Sequence, residues 1–198
     1  MPHVAFIGNG EQRLVKRLQE GDKTAAREFY SLYADRLAGI CSRYIADDED
    51  LKDVFQDAFI HILTHIGGFD YRGAGSLQAW TSRIVVNQSL KFLRSKLHQE
   101  FVRLDFDITD EPEDDDPPVS DIPPDVIRQM LNRLPVGYRT VFNLYVFEGK
   151  SHKEIARLLD IKAESSASQL HRAKNMLAEM IREYNRNENQ LLRVTLNR

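Results

Sequence analysis

The stretch from Leu104 to Asp125 constrains this chain more than any other, because nothing compact can be built from it. It holds ten acidic residues, no Lys or Arg, and five of the chain's seven prolines. Like charges repel along it, proline removes backbone donors, and no helical period runs through it. It therefore reads as an extended linker between two folded parts. With 198 residues and 42% apolar side chains, each part has material for one small core. The predicted fold is all-α, with two small helical domains joined by this acidic, Pro-rich linker. The first is an N-terminal helical bundle over 11–98. The linker covers 99–124, a C-terminal helix-turn-helix domain 125–183, and a polar tail 184–198.

The linker also hides the charge of the rest. The whole chain carries −3, so without these acids the remainder stands at +7. From Val126 onward there are 13 Lys and Arg against 7 Asp and Glu. That excess lies where the helix-turn-helix pattern lies, as a phosphate-binding module requires. In Ser151–Ile181, Ile155, Leu158 and Leu159 share one helical face. Ser166, Leu170, Ala173, Leu177 and Ile181 form a second stripe. Between them Asp160-Ile161-Lys162-Ala163 breaks the period, and Ile161 can plug the corner. Two short helices around such a turn place the second in the DNA major groove. Its opposite face carries Glu164, Ser168, His171, Arg172 and Asn175, which suit base edges or phosphates. An ordinary helical hairpin with a solvated face shows the same periodicity.

In the first part, Leu14, Val15 and Leu18 mark a helix over Glu11–Glu20, and Gly21-Asp22 ends it and caps the next. That helix runs to about Ile45, with Ala26, Phe29, Tyr30, Tyr33, Leu37, Ile40, Cys41 and Tyr44 as its core stripe. Asp47-Asp48-Glu49-Asp50 then sets carboxylates at a helix start, where the macrodipole favours them. The helix reaches about Ile66, burying Leu51, Val54, Phe55, Ala58, Phe59 and Ile62, with Asp53, Gln56, Asp57 and His61 outward. Ile45–Asp70 has seven acids against one base. A surface of that sign repels DNA and suits a basic protein or solvent. The four glycines of Gly67–Gly75 mark a loop, and Phe69, Tyr71 and Arg72 within it suit stacking on an unpaired base. Packing of Phe69 against the protein is the competing reading. Ser76 then caps a helix to about His98, with Leu77, Trp80, Ile84, Val85 and Leu90 inward. Arg72–Arg103 has six bases against one acid.

Several classes are excluded or disfavoured. The single cysteine, Cys41, allows no intramolecular disulfide and no thiolate cluster. It falls in a core stripe and reads as a small buried apolar residue. The opening MPHVAFIGNG does not have the form of a signal peptide, and no run is long enough to span a bilayer. A cytoplasmic protein without membrane insertion is expected. No P-loop, Rossmann fingerprint or Ser-His-Asp order is present, so no catalytic residue and no cofactor are assigned. Asp57, His61 and His65 at i+4 spacings suggest a metal site, but without a fourth ligand the expectation is none.

These motifs together resemble the extracytoplasmic-function (group IV, sigma-70 family) sigma factors of bacterial RNA polymerase. Leu134, Pro135, Arg139, Glu154, Ile155, Ala156, Leu170, Arg172 and Ala173 fall on the family's C-terminal pattern. Asp53-Val54-Phe55-Gln56-Asp57-Ala58-Phe59 is similar to its polymerase-binding helix. Ala79-Trp80 with Arg83, Ile84, Asn87 and Arg94 is similar to its promoter-melting helix. The three come in the family's order, over roughly residues 11–183.

The resemblance implies a non-enzymatic specificity subunit, partnered by core RNA polymerase (β′ and β subunits), promoter DNA and an anti-sigma factor. It implies that Asp53, Gln56, Asp57 and His61 bind polymerase. Phe69, Tyr71, Arg72, Trp80, Arg83, Asn87, Lys91 and Arg94 would hold the melted −10 strand. Ser165, Ser168, Gln169, His171, Arg172 and Lys174 would read the −35 element. The linker would thread the polymerase near the RNA path. Departures concern the promoter sequence. Lys162 replaces a capping Ser, so that Ser165 or Ser166 would cap, and Ser166 replaces an apolar Val. Ala167 and Gln169 replace cations, and Lys91 an Asp. A helix-turn-helix regulator acting without polymerase is the rival reading, and it leaves the acidic helix unexplained.

Overall fold

The computed structural model describes residues 3–103 and 122–196. The linker's residues 104–121 lie outside them. Among the described residues the chain forms eight α-helices, one 3-10 turn and no strand. It divides into two compact units, Met1–Lys96 and Leu97–Arg198.

In the first unit, α1 (His3–Gln19) and α2 (Lys23–Ser42) meet at a corner held by Asp22. The Thr24 N–H donates to the Asp22 carboxylate, which caps α2, and Arg17 ties Asp22 (2.9 Å) to Glu28 (2.6 Å). Those hydrogen bonds, from Thr24 first, hold the Asp22 carboxyl down to about 2. Helix α3 (Asp48–His65) is capped by Asp47, whose carboxylate accepts from the N–H groups of Glu49 and Asp50 at 3.0 and 2.9 Å. A 3-10 turn (Ile66–Gly68) leads into the loop, and α4 (Ser76–Arg103) follows.

The core of this unit is Leu14, Val15, Leu18, Phe29, Leu37, Cys41, Tyr44, Val54, Ala58, Ile62, Leu77, Val85, Leu90 and their small neighbours. Two expectations need correction. On α2 the buried small residues are Ala25 and Ala34, while Tyr30 is 53% exposed and meets α3 at the Phe59 ring, edge to face with centroids 5.1 Å apart. On α4 Trp80 and Ile84 are only half-buried, and Val86 and Leu93 are buried instead. The buried hydroxyls of Thr81 and Ser89 return hydrogen bonds to Leu77 O and Val85 O (both 2.9 Å), so they cost the core little.

In the second unit, α5 (Pro124–Arg133) starts with a proline at its first turn, where the lost N–H has no partner to lose. Ile122, placed in the linker from sequence, is buried at its foot. Pro135 ends α5 and opens α6 (Val136–Val146). Helix α7 (His152–Leu159) carries a reciprocal capping box between Ser151 and Glu154. Helix α8 runs from Ala163 to Leu196. The sequence reading frayed it from Asn185. No Gly or Pro follows Ala163 in the sequence, and the residues there include helix-forming Glu, Gln, Leu and Arg. Met130, Leu131, Leu134, Tyr138, Ala173 and Leu177 bind α5, α6 and α8 into one core.

Candidate nucleic-acid interface

Helix α8 presents its outer face by simple periodicity. At 100° per residue, Glu164, Ser168, His171 and Asn175 lie within roughly 60° of arc. Ser168 Oγ donates to Glu164 O (3.0 Å), and His171 meets Asn175 at 3.2 Å. Ser165 and Arg172 flank this row on one side, and exposed Lys174 flanks it on the other. Arg172 is half-buried, and its guanidinium donates to the Tyr138 hydroxyl (3.1 Å). It is therefore tied to α6 as well as bordering the open face.

Gln169 does not belong to this surface. It is 1% exposed, sitting one turn from both Ser166 and Ala173 on the buried stripe. Helical position decides its placement, and its assignment to the DNA face comes from the family resemblance alone. Ser166 does not cap α8 either. It is fully buried, and its Oγ pairs with His152 Nδ1 (2.9 Å), whose ring stacks on Tyr145 with centroids 4.9 Å apart. Arg139, matched to the family pattern, is 3% exposed, donates to Asn132 O (3.0 Å), and has its pKa lowered by burial.

The turn between α7 and α8 rests on Asp160, the only non-glycine with positive φ among the described residues (56°). Its N–H closes α7 onto Ala156 O. A left-handed residue with a Cβ is strained, less so for Asp than for most. Asp160→Gly relieves left-handed strain of at most about 1–2 kcal/mol and adds about 0.4–1 kcal/mol of unfolded-chain entropy, so a net stabilisation of under about 1 kcal/mol is expected. Chemical denaturation checks this, and a loss of stability would show that the Asp side chain itself holds the turn.

In the first unit, Trp80, Arg83, Asn87, Lys91 and Arg94 fall within roughly 80° of arc on α4. The last four are exposed, and Arg83, Lys91 and Arg94 form no ion pair with a described residue. At the start of this row the Phe69 ring rests on Trp80, with centroids 4.9 Å apart. Half-buried Tyr71 and exposed Arg72 follow in the loop, and Arg72 pairs with Asp70 (3.2 Å). Burial, with Glu11 adding, raises the Tyr71 phenol. Gly73 and Gly75 stand at φ 114° and 86° with open space around them, so backbone conformation and not crowding requires glycine there.

The N-terminus of α4 is capped from elsewhere in the chain. Glu11, 7% exposed, accepts from Gly75 N (2.8 Å) and Leu77 N (2.9 Å). Ser76, expected to cap α4, instead accepts from Arg72 N (3.2 Å). Gln19 Nε2 donates to Ile66 O (3.2 Å) and Phe69 O (2.8 Å). Sequence reasoning missed Glu11 and Gln19, since no local spacing flags partners some fifty residues or more away.

On α3, Asp53, Gln56 and Asp57 are exposed along one stripe, which Ile60 continues at 52% exposure. His61 is half-buried and stacks on His65, with centroids 3.9 Å apart. Among the described residues no group of three His, Cys, Asp or Glu could hold a metal. Nor is any helix there long and apolar enough to cross a membrane.

The first unit thus carries one acidic and one basic exposed helix face, and the second a helix-turn-helix. Residues 29–98 match the family model Sigma-70 region 2, and residues 125–177 match Sigma-70, region 4. The chain is 29% identical to the ECF RNA polymerase sigma-E factor of Haemophilus influenzae, over 86% of this chain and 95% of that one. It is 27% identical to the RNA polymerase sigma-H factor of Pseudomonas aeruginosa (84% and 91% covered). It is 25% identical to the ECF RNA polymerase sigma factor SigW of Bacillus subtilis (87% and 97% covered). The chain belongs to the extracytoplasmic-function group of the sigma-70 family.

Proposed function

We propose that this chain acts in the cytoplasm as a promoter-specificity subunit of RNA polymerase, with no catalytic site of its own. As an alternative sigma factor it binds the core enzyme and directs promoter recognition, melting and initiation. The reading of faces is supported most by one observation. Within a single unit, α3 exposes Asp53, Gln56 and Asp57 whereas α4 exposes Arg83, Asn87, Lys91 and Arg94. A carboxylate face repels a polyanion and attracts a basic protein surface, and the cationic row does the reverse.

The division of labour then follows from chemistry. The α3 face docks on the polymerase β′ subunit, with Ile60 as an apolar anchor inside a charged rim. The loop stacks an unpaired −10 base between its aromatics, and the α4 cations hold the strand's phosphates. Ser165, Ser168, His171 and Lys174 lie against the −35 major groove, and Arg172 borders it while bracing α8 on Tyr138. The second unit contacts the β subunit. An anti-sigma factor that covers these faces would silence the chain.

Transcription from native start sites with purified core polymerase tests this. Initiation is expected only when the chain is added. Tight binding to duplex DNA without polymerase, and no initiation with it, would favour the helix-turn-helix regulator. Lys174→Ala should weaken −35 binding and lower its salt slope by about one, as loss of one phosphate contact requires. An unchanged slope in a salt titration would remove Lys174 from the DNA face.

A further inference from the structure

The loop that carries Phe69, Tyr71 and Arg72 is tied at both ends to a helix that the −10 reading does not otherwise use. At its entry, a single amide, Gln19 Nε2, spans two carbonyls, those of Ile66 and Phe69. At its exit, each oxygen of the Glu11 carboxylate takes one N–H, Gly75 to Oε2 and Leu77 to Oε1. The two side chains stand eight residues apart on α1, a separation of about 12 Å. Helix α1 thus works as a rigid ruler that fixes the span of the loop.

The choice of groups is informative. The first N–H groups of a helix are orphaned and attract anions. Here a buried carboxylate already occupies that place at α4, so a nucleic-acid phosphate does not. Between the anchors the backbone takes conformations that only glycine adopts readily, at Gly73 and Gly75. A loop of that kind would be costly to order at the moment of binding, since each residue fixed carries a conformational entropy cost. Preorganisation moves that cost to folding and strengthens binding without a new contact. The Gln19 anchor falls on Phe69 itself, whose ring is the one seated on Trp80.

Building on the proposed function, we propose that Glu11 and Gln19 are positioning residues for capture of an unpaired promoter base. They act by holding the loop in its receiving shape before DNA arrives. Neither touches the strand. Glu11→Gln keeps the size but turns an acceptor into a donor facing an N–H. Gln19→Ala removes the bridge at an exposed site that the core does not need.

The test uses the full chain and the fact that it has one tryptophan, Trp80. In the free chain, both variants should make Trp80 at least twofold more accessible to acrylamide quenching, because Phe69 is no longer held over it. In holoenzyme, both should slow open-complex formation at a native promoter roughly tenfold while core-polymerase affinity stays within twofold. Lys16→Ala, on the exposed side of α1, serves as the control and should alter neither. Phe69→Ala combined with Gln19→Ala should be no slower than Phe69→Ala alone, as sites acting through one element are non-additive. Fully additive losses, or unchanged quenching in Gln19→Ala, overturn the proposal even if Glu11→Gln fails to fold. Failure of the unmodified chain to initiate anywhere would sink the sigma reading instead, and the quenching arm would still read the clamp.

Discussion

Gln169→Met should stabilise the second unit, by about 1–3 kcal/mol, although it deletes a polar group from a helix thought to read DNA. The side chain is 1% exposed, and among the described residues neither its amide oxygen nor its nitrogen has a hydrogen-bond partner. A buried polar atom without a partner costs about 1–3 kcal/mol. Methionine keeps the unbranched shape and removes the cost. Calorimetry on the full chain should show one transition moved up by at least about 4 °C, at roughly 4–8 °C per kcal/mol for a unit of this size. Duplex affinity for the −35 element should stay within twofold. A more stable protein that binds DNA tenfold more weakly would mean that the glutamine swings out to reach a base, and the sequence reading of Gln169 would be restored.

Asp57→Arg should raise the dissociation constant for core polymerase at least tenfold, the equivalent of about 1.4 kcal/mol. The exposed residues on its stripe are Asp53, Gln56 and Ile60, so reversal changes the sign at the centre of the face without touching the core. Like charges set opposite each other at an interface cost several kcal/mol. The effect should shrink as salt is raised, since the face is open to solvent. The matching change on α8 is Lys174→Ala and not Arg172→Ala, because Arg172 also holds the Tyr138 hydroxyl and its loss would disturb α6. Polymerase affinity read by fluorescence anisotropy should fall for Asp57→Arg and not for Lys174→Ala. Equal losses in both would refute the assignment of faces.

Much of the architecture was legible because it is local. Asp22 caps its helix as its position suggested, the carboxylates from Asp47 stand at a helix start, and of the stripe Ser166, Leu170, Ala173, Leu177 and Ile181 all but half-buried Ile181 are buried. Periodicity fixes a face only to within about one position, however. Tyr30 lies at the margin of the face that meets α3, against Phe59 but 53% exposed, and Trp80 lies at the edge of the core. Gln169 shows the converse error, in which the family resemblance overrode a spacing that already placed it inside. The Glu11 and Gln19 contacts were invisible for another reason. A cap supplied from a distant helix leaves no mark in the neighbourhood of the helix it caps.

The lone thiol has a practical consequence. Cys41 is 0% exposed, burial pushes its pKa up, and its Sγ lies 3.6 Å from Ser89 Oγ between α2 and α4. An alkylating reagent can reach it only when those two helices part. The second unit contains no sulfhydryl. The rate of chemical modification at one atom therefore clocks the opening of the N-terminal half alone, whatever the other half is doing, and any molecule that grips that half will slow the clock.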